Sequence, residues 1–276
     1  MSILITAAAL KEQLDAGKRV VLLDVRWALG DPEGHAKYRA AHIPGAVYVD
    51  LATELAGPGD ARDGRHPLPG PAAFGESARR WGISAGDTVV AYDDSANMAA
   101  SRLWWLLRHA GHERIQLLDG GLRAWTGAGN ATDRGEEQPC LGDVRLGWGA
   151  MGTISTDDAG AWPGRGVLLD ARAGERYRGE TEPIDPKAGH IPGAVSAPTA
   201  ENVDPDGHFL DPALLRGRFA ALGVSEAAET AVYCGSGVTA AHEIAALEIA
   251  GYHARLYPGS FSAWANHAEL PVAVGG

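Results

Sequence analysis

The chain has 276 residues, with 24 Lys and Arg against 35 Asp and Glu, a formal net charge of −11. That is long enough for two domains of ordinary size, and 45% hydrophobic against 21% charged residues excludes a disordered chain. The acidic surplus excludes a phosphate-backbone binder, which needs a cationic surface, so no nucleic acid is expected as a partner. Two cysteines, Cys140 and Cys234, are too few for a disulfide framework and fit a reducing, cytoplasmic setting. No apolar run approaches the ~18 residues of a membrane span. The opening, broken by Lys11 and Glu12, does not read as a secretory signal.

The elements follow in order. VVLLDVR, ending at Arg26, is a continuous apolar run that predicts a buried parallel strand. AHIPGAV, from Ala41 to Val47, predicts a tight turn at its Pro-Gly pair. TVVAYDDS, ending at Ser95, predicts a second strand. The Ala- and Leu-rich stretch after it predicts a helix stopped by Gly111. IQLLDGG then predicts a third strand closing on a glycine turn. The run from Thr126 to Asp143 is rich in Gly and charge, has no period, and reads as a linker.

The series then repeats. GVLLDAR ends at Arg172, GHIPGAV spans Gly189 to Val195, TAVYCGS ends at Ser236, an Ala-rich helix stops at Gly251, and ARLYPGS closes at Ser260. Four ordered matches at a nearly constant offset of ~140 residues mark a duplicated domain, far too long a period for a solenoid. Strand–helix–strand units predict an α/β fold of two tandem domains, each a parallel sheet flanked by helices on both faces. The expected boundaries are 1–128 and 144–276, with 129–143 as the link.

The halves differ at one informative place. Cys234 directly follows the strand of the second half and opens through Gly235, Ser236, Gly237, Val238 and Thr239 into a helix; the first half has Asp93 there. The end of a parallel strand leading into a helix N-terminus presents unpaired backbone N–H groups and the positive helix end. Most free cysteines are small buried hydrophobes, but that setting favours a thiolate nucleophile. Cys140, in the linker, has no such setting. The duplicated His42 and His190 read as structural, because one of their halves lacks the cysteine. Asp24 with Arg26, and Asp170 with Arg172, are expected to pair within each domain. Trp104, Trp105, Trp125 and Trp264 read as core, having no basic residues interleaved for stacking on nucleic acid.

Duplicated halves with D-x-R and H-I-P-G-A motifs, Cys in the second and Asp in the first, resemble the tandem-rhodanese sulfurtransferases over essentially the whole chain. The resemblance implies two rhodanese-like domains, the C-terminal one catalytic, with Cys234 carrying a persulfide and Gly235 to Thr239 as its active-site loop. A phosphatase on this fold needs C-x5-R, its arginine gripping phosphate bidentately; Ala240 stands there, so that class is the weaker reading. A sulfur-carrier module without turnover is the remaining alternative. The loop resembles the 3-mercaptopyruvate branch, whose relay implies roles for Ser236 and for His66 in RHPLPG. The same branch implies a carboxylate clamp: Arg176 matches its first arginine, and Lys187 stands near the place of the missing second. The expected donor is 3-mercaptopyruvate, with thiosulfate as the alternative. Cyanide, a small thiol or a thioredoxin-like dithiol are the expected acceptors, and no cofactor or metal is implied.

Overall fold

The computed structural model describes residues 2–276 and divides into two compact units. The first comprises residues 2–56, Pro69–Ala150 and Pro205–Phe209; the second comprises Gly57–Leu68, Met151–Asp204 and Leu210–Gly276.

In the first unit the elements are β1 (Leu4–Ile5), α1 (Ala7–Asp15), β2 (Val20–Asp24), α2 (Gly34–Ala40), β3 (Val47–Tyr48), α3 (Leu51–Glu54), α4 (Pro71–Arg80), β4 (Thr88–Tyr92), α5 (Ala100–His109), β5 (Ile115–Leu118) and α6 (Gly121–Gly127). All strand pairs are parallel, in the order β1-β5-β4-β2-β3. The central strands are the continuous apolar runs of the sequence. They are buried because helices cover the sheet, which is why they do not alternate. Leu10, Leu22, Ile43, Val90, Tyr92, Leu118 and Trp125 form one buried cluster, and Trp104 and Trp105 on α5 are fully buried.

The second unit runs α7 (Thr156–Ala161), β6 (Gly166–Asp170), α8 (Gly174–Tyr177), β7 (Val195–Ser196), α9 (Pro212–Ala221), β8 (Glu229–Tyr233), α10 (Thr239–Ile249), β9 (Arg255–Leu256) and α11 (Ser260–Asn266). Its parallel sheet has the order β7-β6-β8-β9. The core gathers Trp162, Leu168, Ile191, Tyr233, Tyr257, Phe261 and Trp264. The helices that follow the central strands, α5 and α10, each end on a left-handed glycine, Gly111 at φ 84° and Gly251 at φ 84°, as a helix stop requires.

The repeated motifs do the same structural work in each unit. Arg26 forks onto Asp24 at 2.7 Å and donates to the Ala41 carbonyl at 2.6 Å; Arg172 forks onto Asp170 at 2.6 Å and donates to the Gly189 carbonyl at 2.6 Å. Each arginine thus ties a strand end to the start of its H-I-P-G turn. His42 and His190 are buried, bond through Nδ1 to the carbonyls of Tyr38 and Tyr177, and stack on those rings at 4.3 and 3.7 Å.

The division departs from the expected boundaries in several places: 144–150 and Pro205–Phe209 belong to the first unit, so the second starts its main stretch at Met151. Within 129–143, Asp133 exchanges backbone hydrogen bonds with His42 and Gly142 donates to the Arg79 carbonyl, so this stretch is built into the first unit instead of hanging between the two. The segment Gly57–Leu68 precedes α4 in sequence yet belongs to the second unit. Gly57 N–H donates to the Pro67 carbonyl at 3.0 Å, closing a loop, and Arg65 N–H donates to Ser262 Oγ at 3.1 Å. Gly64, at φ 91°, lets that loop lie against Gly259, where a Cβ would stand 2.6 Å from the carbonyl oxygen.

Candidate active site

Strand β8 delivers Cys234 to the C-terminal edge of its sheet, and α10 begins five residues later at Thr239. Gly237, at φ 78°, turns the intervening loop back so that its N–H donates to Cys234 Sγ at 3.1 Å. The chain on the far side is held as tightly. Ser260 Oγ accepts the Cys234 N–H at 3.1 Å and donates to the Tyr257 carbonyl at 2.9 Å. Phe261 and Ser262 N–H groups donate to the carbonyls of Cys234 and Gly235. Ser260 does this from a left-handed backbone, φ 54°, where the first unit has Gly121 at φ 56°. A non-glycine residue is held there against its preference.

The first unit shows what such a loop can hold. Asp93 sits at the position that matches Cys234. Its two carboxylate oxygens accept four backbone N–H groups, from Ser95, Asn97, Ala99 and Ala100, at 2.8 to 3.0 Å. Burial pushes the Asp93 carboxyl up, and those four donors pull against it. The loop of this fold is therefore an anion cradle built from main chain. In the first unit a carboxylate of the chain itself fills it.

Beside Cys234, Ser236 Oγ lies 2.8 Å from His66 Nδ1, a pair brought together because Gly57–Leu68 packs into the second unit. Ser236 is buried. Val238 precedes α10 and is buried, and Thr239 is its first helical residue.

Arg176, on α8, forks onto Glu182 at 2.6 and 3.2 Å and reaches Asp185 at 3.2 Å. Its remaining nitrogen, Nη1, lies 3.4 Å from where a Cβ of Gly235 would stand. Burial would raise Glu182, but Arg176 and the N–H groups of Asp185 and Ile184 overcome it and hold Glu182 below its usual value. Asp185, also buried, is pushed up by its burial against the pull of Arg65 and Arg176.

Lys187 corrects an expectation. Its Nζ donates to the carbonyls of His267 at 2.7 Å, Ala268 at 3.3 Å and Leu270 at 2.7 Å. An ammonium has three donors, and all three are spent on the chain just beyond α11. Lys187 is a cap for that segment and not an anion ligand. Two residues at the site were not singled out from the sequence: Arg65, which pairs with Asp185, and Ser260. The signal for Arg65 was its place next to His66; for Ser260 it was the mismatch with Gly121 at the equivalent turn.

A family model for the rhodanese-like domain matches the chain twice, over residues 6–128 and 155–267. A Mycobacterium tuberculosis protein named "Putative thiosulfate sulfurtransferase SseB" is 44% identical over 99% of this chain and 97% of its own. A Pseudomonas aeruginosa protein named "Probable 3-mercaptopyruvate sulfurtransferase" is also 44% identical, over 99% and 98%. Among solved structures, the 3-mercaptopyruvate sulfurtransferase SseA from Escherichia coli superposes with a TM-score of 0.83 at 28% identity, covering 94% of this chain and 99% of that one. With two copies of the domain and relatives of this kind along its full length, the chain belongs to the rhodanese-like family of sulfurtransferases.

Proposed function

We propose that this protein moves a sulfane sulfur from 3-mercaptopyruvate to a thiol or cyanide through a persulfide on Cys234. The observation that carries the reading is the cradle. The matching loop of the first unit holds the Asp93 carboxylate on four main-chain N–H groups, and the Cys234 loop already directs one such group, that of Gly237, at Sγ. A terminal persulfide anion on Cys234 is the ligand such a loop suits.

The Cys234 thiolate attacks the donor's sulfur, forming an S–S bond while the donor's C–S bond breaks. The electron pair of that bond passes to the donor's methylene carbon as the enolate of pyruvate. The proton of the donor thiol moves to that carbon, and the Ser236–His66 pair, hydrogen-bonded at 2.8 Å, is placed to carry it. Pyruvate leaves and Cys234 keeps a persulfide anion. An acceptor thiol then attacks the outer sulfur, releasing the Cys234 thiolate and a new persulfide; cyanide would leave as thiocyanate.

The donor assignment rests on charge. Thiosulfate is a compact dianion that calls for surplus positive charge beside its sulfur; the loop has no Lys or Arg between Cys234 and Ala254, and the guanidinium groups that reach Gly235 are already matched by Glu182 and Asp185. Mercaptopyruvate carries its carboxylate away from its sulfur, where Arg176 stands beside Gly235. Thiosulfate is the second reading, favoured by the name of the Mycobacterium tuberculosis relative. Comparing kcat/KM for the two donors tests the choice, and a preference for thiosulfate would overturn it. No helix among the described residues is long and apolar enough to cross a membrane. A cytoplasmic location fits two unpaired cysteines, Cys140 exposed and Cys234 buried.

A further inference from the structure

Arg65 comes to the site from the loop that also brings His66. Its Nη1 pairs with Asp185, whose other oxygen receives Arg176 at 3.2 Å, so one buried carboxylate bridges and spaces two guanidinium groups. An arginine kept only to neutralise Asp185 would fork onto it with two nitrogens, as Arg172 does on Asp170. Arg65 spends only one. Its Nε is buried without a hydrogen-bond partner, and its Nη2 lies 3.1 Å from the point where a Cβ of Gly235 would stand. The nitrogen that Arg176 leaves unspent, Nη1, lies 3.4 Å from the same point. Two guanidinium groups thus aim their spare donors at one side-chain-free spot, directly after the proposed nucleophile.

We infer that Arg65 is a substrate-binding residue, the second arm of a two-arginine clamp that takes the carboxylate of a 2-oxo acid thiol above Gly235. This rests on the donor reading given above. The arm comes from the loop before α4, and it supplies the planar fork that Lys187 does not. The three arginines of the cluster, Arg65, Arg172 and Arg176, are matched by Asp170, Glu182 and Asp185. The clamp therefore attracts an anion by directed N–H donors rather than by surplus charge, which suits a single carboxylate better than a compact dianion.

Arg65→Ala and Arg65→Lys test the assignment with two readouts. The first is turnover of 3-mercaptopyruvate. Losing one charge-assisted arm should raise KM roughly ten- to a hundredfold and leave kcat within a few-fold. The second readout does not need sulfur transfer. It is the ratio of Cys234 alkylation rates by iodoacetate, which carries a carboxylate, and by iodoacetamide, which does not. That ratio should fall about tenfold or more in Arg65→Ala. Arg65→Lys keeps a cation on Asp185 but loses the second donor; it should shift both readouts in the same direction by a smaller factor, and it serves if Arg65→Ala does not fold. Wild-type KM and an unchanged ratio in either folded variant would overturn the assignment, as would a fall in kcat with KM unchanged. If the wild type does not use mercaptopyruvate while the alkylation ratio still depends on Arg65, the donor reading fails and the clamp stands.

Discussion

Replacing Glu243 by Gln should make the second unit more stable above neutral pH than below it, relative to the wild type. Glu243 lies on α10, the helix whose start carries the Cys234 loop, and its side chain is fully buried. Oε2 accepts from Asn202 Nδ2 at 2.6 Å, and Arg218 Nη1 approaches Oε1 at 3.4 Å. Burial outweighs those partners and pushes the carboxyl from 4.5 up to about 7. Between these values the folded state keeps a proton that the unfolded chain has lost. The contribution to stability is therefore fully present below the unfolded value and is lost as pH rises through about 7. At ~1.4 kcal/mol per unit, the displacement withdraws up to about 3 kcal/mol across that window. Gln cannot titrate, and its amide oxygen can still accept from Asn202. Urea denaturation of both proteins at about pH 5 and about pH 8 isolates the effect, because other titrating groups cancel in the difference. The stability of the variant relative to wild type should rise by about 2–3 kcal/mol from the lower pH to the higher. A difference that stays flat across that range would show that Glu243 keeps no extra proton in the folded state.

Ser236→Ala and His66→Ala should each lower kcat for mercaptopyruvate by roughly ten- to a thousandfold. In the double variant the loss should be about that of one single, since the two side chains act as one hydrogen-bonded pair; fully multiplicative losses would separate them. Lys187→Ala should cost about 1–3 kcal/mol in denaturation by stripping donors from three carbonyls beyond α11. It should leave KM for either donor unchanged, whereas a selective rise in KM would restore Lys187 as a ligand.

The four central strands were legible because burial on both faces leaves an uninterrupted apolar run, and the duplication doubled every signal. Of the two-residue strands, β9 was legible because ARLYPGS repeats the IQLLDGG strand of the first half, whereas β3 and β7 end runs that read as turns and β1 is too short to show a period. The H-I-P-G turns and the D-x-R pairs were legible as structure because they recur in the half that lacks the cysteine. The Cys234 loop could be read locally, all its parts lying within a few residues of one another. The rest of the site could not. Arg65 and Asp185 meet across 120 residues, and His66 and Ser236 across 170. No local pattern announces that the segment before α4 folds with the second unit. Lys187 shows the opposite failure: a cation near the right place in the motif, with its donors turned to backbone carbonyls that only the folded chain assembles.

Cys234 is the proposed carrier of the sulfur. The most direct measurement is the intact mass of the protein after incubation with 3-mercaptopyruvate and removal of excess donor, followed by peptide mapping. The wild type and Cys140→Ser should each gain one sulfur, about 32 mass units by persulfide chemistry, on the peptide that holds Cys234. Addition of cyanide or a thiol should remove it, and Cys234→Ser should gain none and turn over no donor. Sulfur found on Cys140, or undiminished sulfur transfer by Cys234→Ser, would contradict the account.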